Sequence, residues 1–255
     1  MPADGRTRPK LKAWSVLLWL AVWQLGSMAI DSQIILVSPV RVLVRLGELA
    51  LTGEFWGSIA STVGRITLGF VLGAGTGTLL AALCARYRVM EELMDPVLLT
   101  VRSIPVASFI ILALILTSSD HLAVLISFLM VMPVLYANVL GGIRAADRQM
   151  IEMAQVFRLP PGRMLRYVYV PQVWPYFESA CMTGLGMSWK SGVAAEVIGI
   201  PTGSIGEKLQ QAKVYLDTPD LYAWTLVIVL ATLVFERIFA RLLALGRGFT
   251  ERLKP

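Results

Sequence analysis

The sequence predicts an all-α polytopic membrane protein with six transmembrane helices and both termini cytoplasmic. Three observations predict it. Hydrophobic residues fill 56% of the 255 positions and charged residues 16%, against about 45–50% and about 25% in soluble domains. Mean hydropathy is +0.68. Long apolar runs recur, and basic residues gather in the polar segments and tails of one side, as positive-inside topology requires. The net charge of +6 follows from that topology and is no nucleic-acid signal.

Residues 1–12 form a cytoplasmic tail carrying Arg6, Arg8, Lys10 and Lys12. One membrane domain, residues 13–244, follows, and residues 245–255 form a second cytoplasmic tail. The first span is Ala13–Ile30. A cleavable signal is its rival reading, because Ser27-Met28-Ala29 faintly resembles a cleavage site. The run exceeds the usual apolar region of a signal and more spans follow, which favours a retained anchor.

Ser38 and Pro39 suit an N-cap and a first helical residue. The helix after them puts Arg41, Arg45 and Glu48 on one face, as in an interfacial helix on the outer surface. The second span is Trp56–Leu83, with Arg65 in its outer half. Gly69, Gly73 and Gly77 recur every four residues and make a smooth strip for close helix packing. The third span is Pro96–Thr117, with Arg102 and Pro105 inside it. A short outer turn, Ser118–His121, joins it to the fourth span, Leu122–Leu140, where Pro133 predicts a kink. His121 is a solvated turn residue.

The fifth span is Val173–Val193, with Glu178 and Lys190. Ala194–Gly206 reads as irregular, tolerated at that depth only inside protein or along a water-filled cavity. Glu207–Leu216 reads as a short outer helix. Thr218 and Pro219 open the sixth span, Asp220–Ala244. Arg237, Arg241, Arg247, Arg252 and Lys254 place the C-terminus inside.

Between the fourth and fifth spans lies a polar island, residues 144–171. Arg144, Arg148, Arg158, Arg163 and Arg166 stand against Asp147 and Glu152. The excess of arginine marks the cytoplasmic side. Ala145–Phe157 has helical periodicity, with Ala146, Met150, Ile151, Met153, Ala154 and Phe157 on one face. Leu159-Pro160-Pro161-Gly162 breaks that helix. A second short helix is expected over Arg163–Val168, ended by Pro171. Two short amphipathic helices at an angle suit a docking surface.

This stretch resembles the cytoplasmic loop of the permease subunits of bacterial ATP-binding-cassette importers, the binding-protein-dependent type I family. That loop reads Glu-Ala-Ala, three residues, Gly, nine residues, Ile, any residue, Leu, Pro. Glu152, Met153 and Ala154 stand in the first three places, and Val168, Val170 and Pro171 in the last. Arg158 replaces the family glycine, and Pro160-Pro161-Gly162 stands ready to supply the bend instead. The resemblance runs from Trp14 to Leu253 and is nearest the sulfonate, taurine and nitrate permeases.

The resemblance implies the type I importer permease fold in the bacterial inner membrane. It implies a homodimeric pore, a cytoplasmic ATPase that binds ATP and Mg, and an external solute-binding protein. It assigns ATPase contact to Glu152, Met153, Ala154, Arg158, Gly162, Arg163 and Pro171. Glu152 would cap or salt-bridge at the ATPase groove, and Ala154 would permit close approach.

The chain itself offers no enzyme chemistry. The closest approach to a P-loop, Gly203–Lys208, lacks the Gly-Lys-Ser/Thr ending. One histidine excludes the common triads, and Cys84 and Cys181 have no zinc-ligand spacing. The remaining signal is charge within the spans, at least about 2.5–3.5 kcal/mol per residue to insert. Arg102, Lys190 and Glu196 therefore need a cavity or a partner. In one reading Arg102, Lys190 and Glu196 line the substrate path, and Arg102 and Lys190 favour an anion such as a sulfonate or nitrate. In the other, Lys190 pairs with Glu196 or Glu178 and Arg102 lies near the inner interface. An ion-coupled secondary transporter using Lys190 and Glu196 is the alternative function.

Overall fold

The computed structural model describes residues 13–30 and 36–251, and all of its regular structure is helical. The expected N-terminal tail, Arg252 and Lys254 lie outside the described residues. In chain order the helices are α1 (Ala13–Ile30), α2 (Pro39–Ala50), α3 (Gly53–Arg86), α4 (Arg88–Ser103), α5 (Val106–Leu116) and α6 (Ser119–Arg144). They continue with α7 (Arg148–Val156), α8 (Pro161–Met164), a π-helical turn (Leu165–Tyr169), α9 (Val170–Gly199), α10 (Ile205–Val214) and α11 (Thr218–Glu251). Among the described residues, α3 and α6 are long and apolar enough to cross a membrane; α4 with α5 adds a third if that bent pair is one span.

Local sequence explains the starts. Ser38 caps α2, its Oγ accepting from the Arg41 N–H, and Pro39 follows it. Thr52 caps α3 in the same way through the Phe55 N–H. Asp147 caps α7 through the Gln149 N–H at 2.9 Å. These side chains satisfy donors that the first helical turn leaves open.

The core is α6 packed between α3 and α9. Ile66, Phe70, Leu135, Leu185 and Trp189 are nearly solvent-free at its centre. The glycine strip of α3 explains the intimacy. A Cβ on Gly69 would lie 2.7 Å from the Ser127 Cβ, and one on Gly73 or Gly77 would lie 2.9 Å from the Cβ of Val131 or Leu135. Two four-residue series, one of glycines and one facing it, therefore mesh along the helices. In lipid, where burial from water supplies no drive, such van der Waals approach holds helices together.

Two expectations change. The third span is not one straight helix: α4 and α5 meet at a bend of 107°. Pro105 forces this, since the residue before proline is driven out of helical geometry and Ile104 sits at φ −80°, ψ 130°. Pro133, where a kink is predicted, lies inside α6, whose helix continues on both sides of it. The segment from Ala194 is regular as far as Gly199, so irregular backbone is confined to residues 200–204. At the turn, Ile200 takes φ 50°, an unusual conformation for a β-branched residue.

Candidate functional site

The island between α6 and α9 folds into a short helix, a tight reversal and a joint. Helix α7 is shorter than expected, because Ala145–Asp147 forms a turn before it. It ends in a Schellman motif: the Arg158 N–H bonds the Gln155 carbonyl at 2.9 Å and the Leu159 N–H bonds the Ala154 carbonyl at 3.0 Å. Arg158 occupies the left-handed position of that motif at φ 49°. The arginine thus adopts the conformation that a glycine takes without strain. The bend expected from Pro160-Pro161-Gly162 is already made at Arg158, and Pro160 and Pro161 only start α8.

The second loop helix does not end at Pro171. Helix α8 passes into the π-helical turn and on into α9, with the Val170 N–H bonding the Leu165 carbonyl. Pro171 sits buried at the second position of α9, and its missing N–H leaves out one backbone bond at the junction with the π-helical turn. The loop is therefore continuous with a long helix. Gln172 closes it: its Oε1 accepts from the Asp147 N–H at 2.7 Å, and its Nε2 donates to the Val168 carbonyl at 3.0 Å.

Exposure divides the predicted face in two. Ala146 and Ala154 are buried, and Met150 packs inward beside Gln172, whose Nε2 lies 3.7 Å from the Met150 sulfur. Ala154, to which the resemblance gives close approach to a partner, is 1% exposed and packs within the loop. Met153, Val156, Phe157, Leu165 and Tyr167 point outward instead, with Phe157 73% exposed. Glu152, Gly162 and Arg163 are exposed beside them. Behind the loop, the Arg144 guanidinium pairs with Glu91, and that hydrogen bond raises the Arg144 pKa.

Arg102, Lys190 and Glu196 do not meet one another. Lys190 is exposed on α9 and has no ion-pair partner among the described residues. Glu178 pairs with Arg247 and Glu196 with Arg65, so the pairing of Lys190 with either glutamate does not occur. Six residues along a helix turn through about 600°, which puts positions 190 and 196 on different faces. Arg102, in the last turn of α4, donates to the Pro133 carbonyl of α6.

Glu196 is fully buried in a polar cluster at the other end of the bundle. Its Oε2 accepts from Thr62 Oγ1 at 2.7 Å and from the Gly206 N–H at 3.4 Å. Its Oε1 lies 3.6 Å from a guanidinium nitrogen of Arg65, which also bonds Asp120 at 3.1 Å. Thr62 Oγ1 accepts in turn from the Ile205 N–H at 3.0 Å. Gly206 lies so close that a Cβ there would strike the Glu196 side chain and backbone. The Gly203–Lys208 segment is simply the start of α10, with Ser204 accepting from the Glu207 N–H at 2.9 Å. Sequence reasoning missed Arg65 and Thr62 as partners of Glu196. Opposite charges in the same half of two apolar runs were the available signal.

Comparison with known proteins sharpens the reading. The chain is 28% identical over 91% of its length to a candidate aliphatic sulfonates transport permease, SsuC of Bacillus subtilis, covering 86% of that protein. It is 30% identical over 94% of its length to the riboflavin transport system permease RibX of Chloroflexus aurantiacus, covering 87% of it. It is 25% identical over 91% of its length to the taurine transport system permease TauC of Escherichia coli, covering 84%. A crystal structure of an amino acid ABC transporter with histidines superposes with a TM-score of 0.61 at 19% identity, over 80% of this chain and 97% of that one, and shows a shared fold. Residues 77–245, which hold the loop, the α9 joint and Glu196, match the family described as the inner membrane component of binding-protein-dependent transport systems, and the chain belongs to that family.

Proposed function

We propose that this ABC transporter permease forms the translocation pathway of an ATP-driven importer for a small anionic solute. An external binding protein delivers the solute, and a cytoplasmic ATPase, which carries the ATP and Mg, drives the cycle through the Glu152–Pro171 loop. The pore is a homodimer of six-span subunits with cytoplasmic termini. The observation that carries the reading is the outward apolar face of Met153, Val156 and Phe157 on a loop built into α9. An apolar patch rimmed by charge in a water-facing loop calls for a partner. Because the π-helical turn joins the loop to α9, displacement of the loop moves the long helix as a body.

The solute class rests on Lys190, an unpaired cation on an exposed α9 face that also carries Ser179, Thr183 and Met187. Arg102 adds a second cation, held by the Pro133 carbonyl. The names of two related permeases point the same way, sulfonates and taurine being anionic or zwitterionic solutes, and that of the riboflavin permease does not. Glu196 leaves the proposed pathway, since it is enclosed by Thr62, Arg65 and Gly206. The same enclosure argues against its use as an ion-coupling group.

Purification in mild detergent tests the coupling. A stoichiometric ATPase that stays bound to the unaltered chain and is lost with Glu152→Arg supports it; a chain that never retains an ATPase sinks it. Lys190→Met should abolish solute uptake while the complex still assembles, and normal uptake kinetics in that variant would remove Lys190 from the pathway.

A further inference from the structure

A cavity of about 550 Å³ opens at the loop end of α3, α6 and α9. Its walls are apolar, with Ala82, Val139, Ile143, Val173 and Phe177 prominent, and Arg86 also lines it. The volume lies within the usual range for small-ligand sites, about 300–1,000 Å³. A second cavity, charged and lined by Arg86, Arg88, Glu91, Glu92, Asp95 and Arg144, adjoins it. Arg86 is common to both, so its guanidinium stands at the boundary between an apolar recess and a polar one.

The charges of the polar recess are otherwise matched. Arg88 pairs with Glu92 at 3.3 Å, Arg144 pairs with Glu91, and Asp95 accepts from the Tyr136 hydroxyl at 3.5 Å. Arg86 has no carboxylate partner among the described residues; its recorded contact is with the Tyr87 ring at 5.4 Å. An apolar recess with one unpaired cation at its polar edge matches an amphiphile with an anionic head.

We propose that this cavity binds an anionic phospholipid of the inner leaflet, its phosphate on Arg86 and an acyl chain against Val139, Ile143, Val173 and Phe177. The depth of the site depends on the loop being cytoplasmic, as the proposed function holds. Basic pockets between helices on that side are suited to anionic headgroups. Leu165 and Tyr169 of the π-helical turn also line the cavity, so a bound acyl chain would brace the joint between loop and α9.

The test is native mass spectrometry of the transporter, purified with whatever ATPase it retains. The complex is exchanged into nanodiscs of phosphatidylcholine with or without phosphatidylglycerol. One phosphatidylglycerol per chain should survive delipidation, with phosphatidylcholine lost. Arg86→Glu should retain about tenfold less of it. Ala82→Phe, which fills the recess and leaves the charge in place, should lose it too, and Arg86→Lys should keep it. Each variant is compared only where its elution and melting match the unaltered protein. Equal retention of both lipids, or phosphatidylglycerol retention unchanged in Arg86→Glu and Ala82→Phe, overturns the proposal. Loss of a bound ATPase and not of lipid in Arg86→Glu also overturns it, by assigning the surface to a protein. Arg86-dependent lipid retention in a chain that binds no ATPase would leave the lipid site standing and remove the importer reading.

Discussion

The two ends of the bundle handle the same problem, polar groups beside a membrane, in opposite ways. At the loop end, carboxylates and arginines stay in water while Phe157, Val156 and Met153 are left uncovered. At the far end, Glu196 is driven inside and surrounded by Thr62, Arg65 and the N–H groups that start α10. Uncovered apolar surface is satisfied only by another molecule, whereas an enclosed carboxylate is satisfied only by its own chain. The loop end is built for a partner, and the Glu196 end holds α3, α6, α9 and α10 to one another. Arg45 serves the same hold at the periphery, bonding Asp220 of α11 and Glu48, whose hydrogen bonds raise its pKa.

That contrast breaks if altering the enclosed end leaves stability unchanged. Glu196→Ala removes the acceptor shared by Thr62 and the Gly206 N–H and the ion-pair partner of Arg65, and should cost about 3–5 kcal/mol, the range for removing one partner of a buried pair. Thermal melting of the detergent-solubilised protein measures it; a melting point within error of the parent would refute the hold. Leucine at both 65 and 196 should recover part of the loss, because no charge then stays buried.

Next in size is the glycine strip. Gly77→Ala puts a methyl group against the Met132 carbonyl and the Leu135 Cβ, and α6 must shift. A cost of about 1–3 kcal/mol is expected, together with closer protease cutting between α3 and α6. A variant as protease-resistant as the parent would show that these helices have slack.

At the loop end the effects on stability are smaller and one has the opposite sign. Gln172→Ala should cost about 1 kcal/mol, since the Asp147 N–H loses its acceptor to water at an exposed site. Hydrogen exchange at Asp147 should accelerate with no change near Glu196. Arg158→Gly should stabilise the loop by about 1 kcal/mol by relieving the left-handed arginine; a lower melting point would mean that the arginine makes a contact worth more than its strain.

Phe157→Ser sharpens the contrast most. Stability should move by less than about 0.5 kcal/mol, as for an exposed position, while retention of an ATPase falls. An unstable variant with its partner retained would reverse the assignment of the two ends.

The legible parts of the molecule are those set by neighbours along the chain. Ser38 and Pro39 open α2 because caps act within one turn, whereas α11 starts at Thr218 itself and Asp217 accepts from the Asp220 N–H. The apolar runs announce helices α3 and α6, and the Gly69–Gly73–Gly77 spacing announces a packed face, though not which helix fills it. The loop was readable as a helix, a break and a second helix. Its joint was not, because proline reads as a stop, and only the π-helical turn before Pro171 lets the helix continue. Arg158 reads as a departure from a family glycine, whereas the Schellman motif shows the same left-handed backbone kept at a cost in strain.

Composition and period determined that the chain is helical and membrane-bound, since hydrophobic content is a sum over residues that needs no partner. Tertiary structure alone decided that Glu196 meets Arg65 and not Lys190, that α4 and α5 turn by 107°, and that Phe157 faces out while Ala154 faces in. Those outcomes depend on the angle at which each helix presents its faces to others far along the chain. That angle is set by packing, not by any local pattern.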